Sequence, residues 1–121
     1  MKEKDLKLAV SQYLERGTSQ GKWYADRLNS GSVLVKRGDK TYRVELAREG
    51  TADFMVIRAR RYLRYFRNAP QVIAPEIIFL ELKGDKGKTS PAQNAFKILV
   101  EQQGADYFVV RSVEELEDIL A

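Results

Sequence analysis

The run of apolar residues from Ile77 to Leu80, followed directly by Glu81, Leu82 and Lys83, constrains the fold more than any other feature of the chain. Successive side chains of a strand point to opposite faces, so a run that is apolar on both faces predicts a central strand covered on both sides. In the same strand Glu81 and Lys83 share one face, while Leu82 points into the core. We therefore predict a strand over residues 76–83 that ends in an acid and a lysine side by side.

A second acid, Asp53, lies in the segment 50–57, which predicts a neighbouring strand over residues 53–58. An acid and a lysine at a strand end, with another acid beside them, suit metal-dependent cleavage of a phosphodiester. The metal needs hard oxygen ligands, and the phosphate and its attacking water need nearby positive charge. A Glu-x-Lys pair alone is more often a cross-strand ion pair, so this interpretation depends on Asp53 and on the surrounding elements.

The other elements follow from hydrophobic spacing and turn residues. Helical spacing predicts a first helix over residues 2–16 with Gly17 as its stop, and residues 18–31 read as loop. Short strands over 32–36 and 41–46 predict a hairpin. A strand over 106–110 and a last helix complete the order α-β-β-β-β-α-β-α. This order predicts an α/β fold, a mixed sheet flanked by helices, in which residues 76–110 form a parallel, right-handed crossover.

The two later helices carry clear start signals. Ser90 is a predicted N-cap, with Pro91 at the first helical position and Gln93 at the capping-box position. Gly104 ends this helix, and Ser112 caps the last one. The residues predicted to face inward are Ala92, Ala95, Phe96, Leu99 and Val100 in the first of these helices, and Leu116, Ile119 and Leu120 in the second.

The residue types that are missing exclude several kinds of catalysis. The 121 residues contain no cysteine and no histidine, which removes disulfides, zinc sites of the usual kind, histidine bases and Ser-His-Asp triads. Any catalysis must use Asp, Glu, Lys, Arg, Tyr or a metal. The length fits a single domain over residues 1–121, and the charged N-terminus without a membrane-length apolar run predicts a soluble, cytoplasmic protein.

Positive charge is concentrated in the body of the chain. Residues 1–100 carry 20 bases and 11 acids, whereas residues 101–121 carry one base and six acids. A basic body fits a polyanionic partner such as nucleic acid. The alternative is an ordinary solvated basic surface.

The most basic segment, residues 58–67, holds five arginines with aromatic residues between them. We read residues 58–75 as an insertion between two strands, either a hairpin tip or a short helix. Its arginines Arg60, Arg61 and Arg64 would contact nucleic-acid phosphates while the aromatic rings stack on bases. Alternatively, the segment packs its aromatic side chains on the core or on a second subunit.

Five short motifs occur together along the chain. They are Arg27-Leu28-Asn29-Ser30-Gly31, Gly50-Thr51-Ala52-Asp53, Glu81-Leu82-Lys83, Ser90-Pro91-Ala92-Gln93, and the closing strand and turn over 104–112. In this order they resemble the VRR-NUC nucleases, the virus-type replication-repair branch of the PD-(D/E)XK superfamily. The sequence departs from the family at Ala52, where the family has proline, and in a longer interval between Asp53 and Glu81.

The resemblance implies a restriction-endonuclease-like core and a site for Mg²⁺ or Mn²⁺. By this resemblance, Asp53, Glu81 and the backbone carbonyl of Leu82 ligate the metal. Lys83 and Gln93 then orient the attacking water or stabilise the charge on the phosphate. Glu3 is the residue that would reach the metal through a water, and Asp5 competes with it for that role.

The resemblance also implies an activity. Arg27, Asn29 and Lys97 would contact DNA. A metal-dependent DNA endonuclease is expected. Stand-alone members of the resembled family tend to be homodimers that cut branched DNA, which predicts a nuclease that resolves four-way junctions. The alternatives are a nucleic-acid-binding module with a non-catalytic nuclease fold, a small protein-interaction domain, and an RNA substrate in place of DNA.

Overall fold

The computed structural model describes residues 1–62 and 72–121, so Arg64 and the middle of the predicted insertion lie outside the described residues. Three helices are present in the described ranges: α1 (Glu3–Ser19), α2 (Pro91–Gln102) and α3 (Val113–Leu120). The strands there are β1 (Tyr24–Arg27), β2 (Ser32–Arg37), β3 (Lys40–Glu45), β4 (Phe54–Tyr62), β5 (Val72–Leu82) and β6 (Asp106–Val110). The order α-β-β-β-β-β-α-β-α confirms the α/β class and adds one strand to the prediction.

Strand β5 lies in the middle of a four-stranded sheet with the order β1-β4-β5-β6. It pairs antiparallel with β4 and parallel with β6, so the sheet is mixed and the central position predicted for this strand is confirmed. The two faces are covered unequally. Ile78 and Leu80 are fully buried, whereas Ile77 on the opposite face is 38% exposed.

The fully buried face of the sheet packs against α1 and α3. Its core residues come from both helices and from β4, β5 and β6, and they include Leu6, Val10, Leu14, Val56, Ile78, Leu80, Val110 and Leu116. Helix α2 lies on the opposite face. There the rings of Phe96 and of Phe79 in β5 meet edge to face, with their centroids 5.2 Å apart. The predicted inward residues of α3, Leu116 and Leu120, are buried as expected.

Helix α1 does not stop at Gly17 as predicted. The helix continues to Ser19, and Gly17 is buried in it under the indole of Trp23. A Cβ at position 17 would collide with this ring, so the position requires glycine. The turn that terminates the helix is completed by Gly21, which lies two residues after Ser19 and has φ +73°. The N–H groups of Gly21 and Lys22 donate to the carbonyls of Thr18 and Gly17, the paired bonds of a Schellman motif.

Strand β1 lies inside the segment that was predicted to be loop. It has only four residues and most of them are exposed, so it carries no alternating pattern. Backbone pairing with β4 holds it in place, with Tyr24 opposite Ile57 and Arg27 opposite Phe54. Tertiary pairing rather than local propensity decides its conformation.

Strands β4 and β5 extend further than predicted, into the arginine-rich insertion. Their antiparallel register runs from Phe54 opposite Leu80 to Tyr62 opposite Val72. The two ends of the insertion therefore pair as antiparallel strands, as the hairpin prediction requires. Arg61, which was predicted to contact nucleic acid, lies outside the residues whose side chains the structure describes.

Helix α2 has the predicted start but not the predicted buried stripe. The capping box between Ser90 and Gln93 is complete, with Pro91 following the cap. No residue of α2 is fully buried, and Ala95 and Leu99, predicted to face inward, are exposed. The reason is that α2 covers only part of its sheet face. None of the helices in the described ranges is long and apolar enough to cross a membrane.

Candidate active site

Asp53 and Glu81 meet where β4 begins and β5 ends. Asp53 immediately precedes β4, and the pairing of Phe54 with Leu80 brings it opposite Glu81. The Asp53 carboxylate is fixed by a hydrogen bond from the backbone N–H of Leu82 to its Oδ2, 2.7 Å long. Leu82 itself is fully buried. The sheet register therefore aligns the two predicted carboxylates without help from a flexible loop.

Glu81 is the only charged or polar residue in the described part of the chain that is classed as buried, with 4% of its surface exposed. Its Oε1 accepts a hydrogen bond from Nε2 of Gln93 at 2.8 Å, and the Lys83 ammonium lies 3.9 Å from the same oxygen. Within the described residues its other oxygen, Oε2, has no hydrogen-bond partner. A buried carboxylate oxygen without a donor is costly unless a proton or a cation satisfies it.

Burial, and then the negative charge of Asp53, raise the pKa of Glu81 from 4.5 to about 8, against the lowering effect of the Lys83 ammonium. Two close carboxylates hold a proton between them unless a cation replaces it. The pair is therefore arranged to take up one positive charge.

Gln93 makes the predicted capping-box bond and also contacts the carboxylate pair. Its Oε1 accepts the backbone N–H of Ser90 at 2.8 Å, which is the capping-box bond. Its Nε2 donates to Glu81 at the same time. Because one amide serves both, the start of α2 is locked to the carboxylate pair.

Lys7 joins this group, although the sequence did not point to it. Its ammonium lies 3.6 Å from Oδ1 of Asp53 and 3.8 Å from Oε2 of Glu3, one helical turn earlier. Glu3 thus approaches the carboxylate pair through Lys7, and Asp5 makes no ion pair in the described ranges. The i,i+4 spacing of Glu3 and Lys7 was the one available signal.

Tyr107 of β6 is a second residue that the sequence did not indicate. It is buried, and its hydroxyl has no hydrogen-bond partner among the described residues. Burial raises the pKa of Tyr107, and the charges of Glu81 and Asp53 raise it further. Tyr107 therefore remains a neutral hydroxyl, able to donate a hydrogen bond near the carboxylate pair.

The backbone around the site is tightly packed. Gly50 has φ +85°, and a Cβ there would collide with the carbonyl of Ala92 at the start of α2. Ala52, where the resembled family has proline, is fully buried. Glycine at position 50 thus permits the close approach that brings the Asp53 segment against α2.

The donors fit a hard divalent cation. Two carboxylates and a backbone carbonyl offer oxygen ligands of the kind that Mg²⁺ and Mn²⁺ prefer, and Glu81 Oε2 has no competing partner among the described residues. The described ranges contain no group of three acids close enough to share a metal. Direct protein ligands would therefore come from Asp53, Glu81 and the Leu82 carbonyl, with water filling the other positions.

The residues predicted to contact DNA occupy different positions. Arg27 lines a cleft of about 510 Å³ together with Glu3 and Lys7. Asn29 is exposed in the following loop, where its carbonyl accepts the N–H of Ala47. Lys97 is exposed on α2.

Arg60 is half exposed but is not a free cation. Its guanidinium lies 3.1 Å from Glu76, which also pairs with Arg58. Arg58 in turn donates to the carbonyl of Leu120, so it ties β4 to the end of α3. Part of the arginine-rich segment is therefore structural.

Comparisons of the chain with family models, with curated proteins and with solved structures find no match.

Proposed function

We propose that this chain is a metal-dependent endonuclease that hydrolyses phosphodiester bonds in DNA, as its resemblance to the VRR-NUC nucleases implies. The observation that carries the proposal is the convergence of Asp53, Glu81, Lys83 and Gln93, with a buried oxygen of Glu81 left without a partner among the described residues. Structural ion pairs rarely leave a buried carboxylate oxygen unsatisfied.

Asp53, Glu81 and the Leu82 carbonyl would hold Mg²⁺ or Mn²⁺. When bound, such a cation polarises the phosphate and lowers the pKa of water. Gln93 keeps Glu81 in position through its amide N–H. Glu3 and Lys7 lie at the open side of the site, where the substrate phosphate would approach.

Lys83 supplies the positive charge that the chemistry needs. An ammonium about 4 Å from an anion contributes roughly 4 kcal/mol at an effective dielectric constant near 20. If this interaction forms only in the transition state, it is worth about three decades in rate. Lys83 is largely shielded from water, which favours an effect of this size.

Branched DNA, four-way junctions in particular, is the proposed substrate, and a homodimer is the proposed assembly. A pair of sites related by twofold symmetry suits paired incisions. Exposed apolar residues on α2, among them Ile98 and Leu99, support a contact between copies.

The deciding experiment is cleavage of labelled four-way junction, flap, splayed arm and linear duplex, with Mg²⁺ and with Mn²⁺, beside a measured solution mass. The wild type should nick the junction symmetrically, and Asp53→Ala should abolish cleavage. Lys83→Met should lower kcat by about a thousandfold with little change in DNA affinity.

The alternative is a nucleic-acid-binding module with a non-catalytic nuclease fold. It is supported if the wild type binds these substrates but cuts none of them with either metal. Equal digestion of linear DNA by a monomer would keep the nuclease and remove the junction preference.

A further inference from the structure

The hairpin formed by β2 and β3, residues 32–45, stands apart from the main sheet and forms a two-stranded sheet of its own. Every residue of its two strands is exposed. Each strand has six residues, which makes a ribbon about 20 Å long. A ribbon that contributes so little to the core of its own chain is available for a partner.

The ribbon carries four bases, Lys36, Arg37, Lys40 and Arg43, against two acids, Asp39 and Glu45. Elsewhere Lys7, Lys83, Arg58 and Arg60 all lie beside acids. In the described part of the chain, none of the four ribbon bases lies within ion-pair distance of an acid. Their charge is therefore available to an external anion.

The strand register sorts the ribbon into two faces. On one face Ser32 pairs with Glu45 at the base, and the bases Arg43 and Lys36 follow towards the tip, opposite Leu34 and Thr41. The other face has an apolar base of valines with Tyr42, and Arg37 pairs with Lys40 at its tip. Two of the four bases thus lie on one face, and the other two lie at the tip.

The base of the ribbon is attached next to the candidate active site. The N–H of Leu28 donates to the carbonyl of Asp53 at 2.8 Å. Two further backbone bonds, from Ala47 to Asn29 and from Leu46 to Gly31, close the base of the ribbon. A polyanion held along the ribbon is therefore led towards the carboxylate pair.

We propose that the β2–β3 ribbon is a DNA-binding arm that holds duplex beside the bond to be cut, an inference that rests on the proposed nuclease function. The four bases contact phosphates, and a two-stranded ribbon fits a major groove about 12 Å wide. Charge complementarity selects nucleic acid as the occupant. Phosphate contacts position the duplex and carry no sequence information.

The test measures the salt dependence of DNA affinity. Arg37→Gln/Lys40→Gln removes two charges from the tip of the arm, and Arg16→Gln/Lys22→Gln removes two exposed charges near the far end of α1. Binding of a fluorescent duplex is measured by anisotropy in EDTA, so that no metal-dependent cleavage occurs. Thermal unfolding checks that both variants fold.

The arm variant should bind about tenfold more weakly near 100 mM salt, and its slope of log affinity against log salt should fall by almost two. The control variant should keep the wild-type slope. Equal effects of the two variants would overturn the arm, because any pair of surface charges would then matter as much. An unchanged slope with an altered solution mass would also overturn it and would indicate that the ribbon joins copies of the chain. Cleavage assays test the nuclease function separately. If the arm variant binds DNA more weakly but the wild type cleaves nothing, only the proposed function is wrong. If the wild type cleaves DNA and the arm variant binds it normally, only the proposed arm is wrong.

Discussion

Glu81 makes the stability of the metal-free protein depend on pH. Burial and Asp53 raise its pKa from 4.5 to about 8 in the folded state, so folding favours the protonated form. This contribution is fully present below pH 4.5 and is lost as pH rises towards 8. In EDTA, the free energy of unfolding of the wild type should therefore fall across this range by a few kcal/mol relative to Glu81→Gln, at up to about 1.4 kcal/mol per pH unit.

Urea titrations of both proteins between pH 5 and pH 8.5 measure this difference. Glu81→Gln keeps the shape of the side chain and cannot ionise, so it is the matched reference. Two parallel stability profiles would show that Glu81 titrates normally and that no cation is needed there.

Lys7 acts as an internal cation beside Asp53 when no metal is bound. The Lys7 side chain is 33% exposed, so the pair contributes at most about 1 kcal/mol to stability. Lys7→Met removes a charge that opposes a second cation, and the affinity for Mn²⁺ in the absence of DNA should rise by about three- to tenfold. Isothermal titration measures this, with exposed Lys4→Met as the control on the same helix. A weaker affinity for Mn²⁺ in Lys7→Met would contradict the assignment.

The sequence indicated Asp53, Glu81, Lys83 and Gln93 because their signals are local: strand alternation fixes one pair, and a helix start fixes the glutamine. Lys7 and Tyr107 were missed because their contacts join separate elements. Neither residue belongs to a motif. Only the folded sheet shows that α1 and β6 approach the same carboxylates.

At the scale of elements, predictions failed where neighbouring elements override local signals. Gly17 reads as a helix stop, but it is the residue that lets Trp23 pack against α1. The four residues of β1 show no strand pattern, and pairing with β4 makes them a strand. By contrast, the capping box of α2, the Ser112 N-cap of α3 and the turn of the β2–β3 hairpin depend on nearby residues and were predicted correctly.

The start of α2 allows its structural and functional roles to be separated. Ser90→Ala removes the N-cap acceptor of Gln93 N–H and should cost about 1 kcal/mol of stability. Gln93→Glu retains an acceptor for the Ser90 N–H but removes the amide donor to Glu81 and adds a charge. With Mg²⁺ present, Gln93→Glu should lose at least about tenfold in cleavage rate, and Ser90→Ala less than about twofold. Thermal unfolding measures the stability of both variants, and initial cleavage rates on the same preparations measure their activity. If the two variants lose the same factor in cleavage rate, Gln93 serves only to cap the helix.

At the scale of the whole molecule, the carboxylate pair, the ribbon and the exposed side of α2 are three separate features. The carboxylate pair lies where α1, β4 and β5 meet, and the ribbon begins beside it. Helix α2 reaches the site only with its first turn, through Gln93. The rest of α2 leaves Ala95, Ile98 and Leu99 exposed along one side.

The proposed homodimer would join its two copies through this exposed side of α2. Residues at i, i+3 and i+4 form one stripe, and a twofold axis brings identical stripes together. Ile98 is 57% exposed, so Ile98→Glu should leave the fold intact while it converts a dimer to a monomer. Gln12→Glu adds the same charge to the exposed side of α1 and should have no such effect. Sedimentation equilibrium measures the mass, and the junction assay should show single nicks in place of paired ones for Ile98→Glu. A dimer that survives Ile98→Glu would mean that another surface joins the copies.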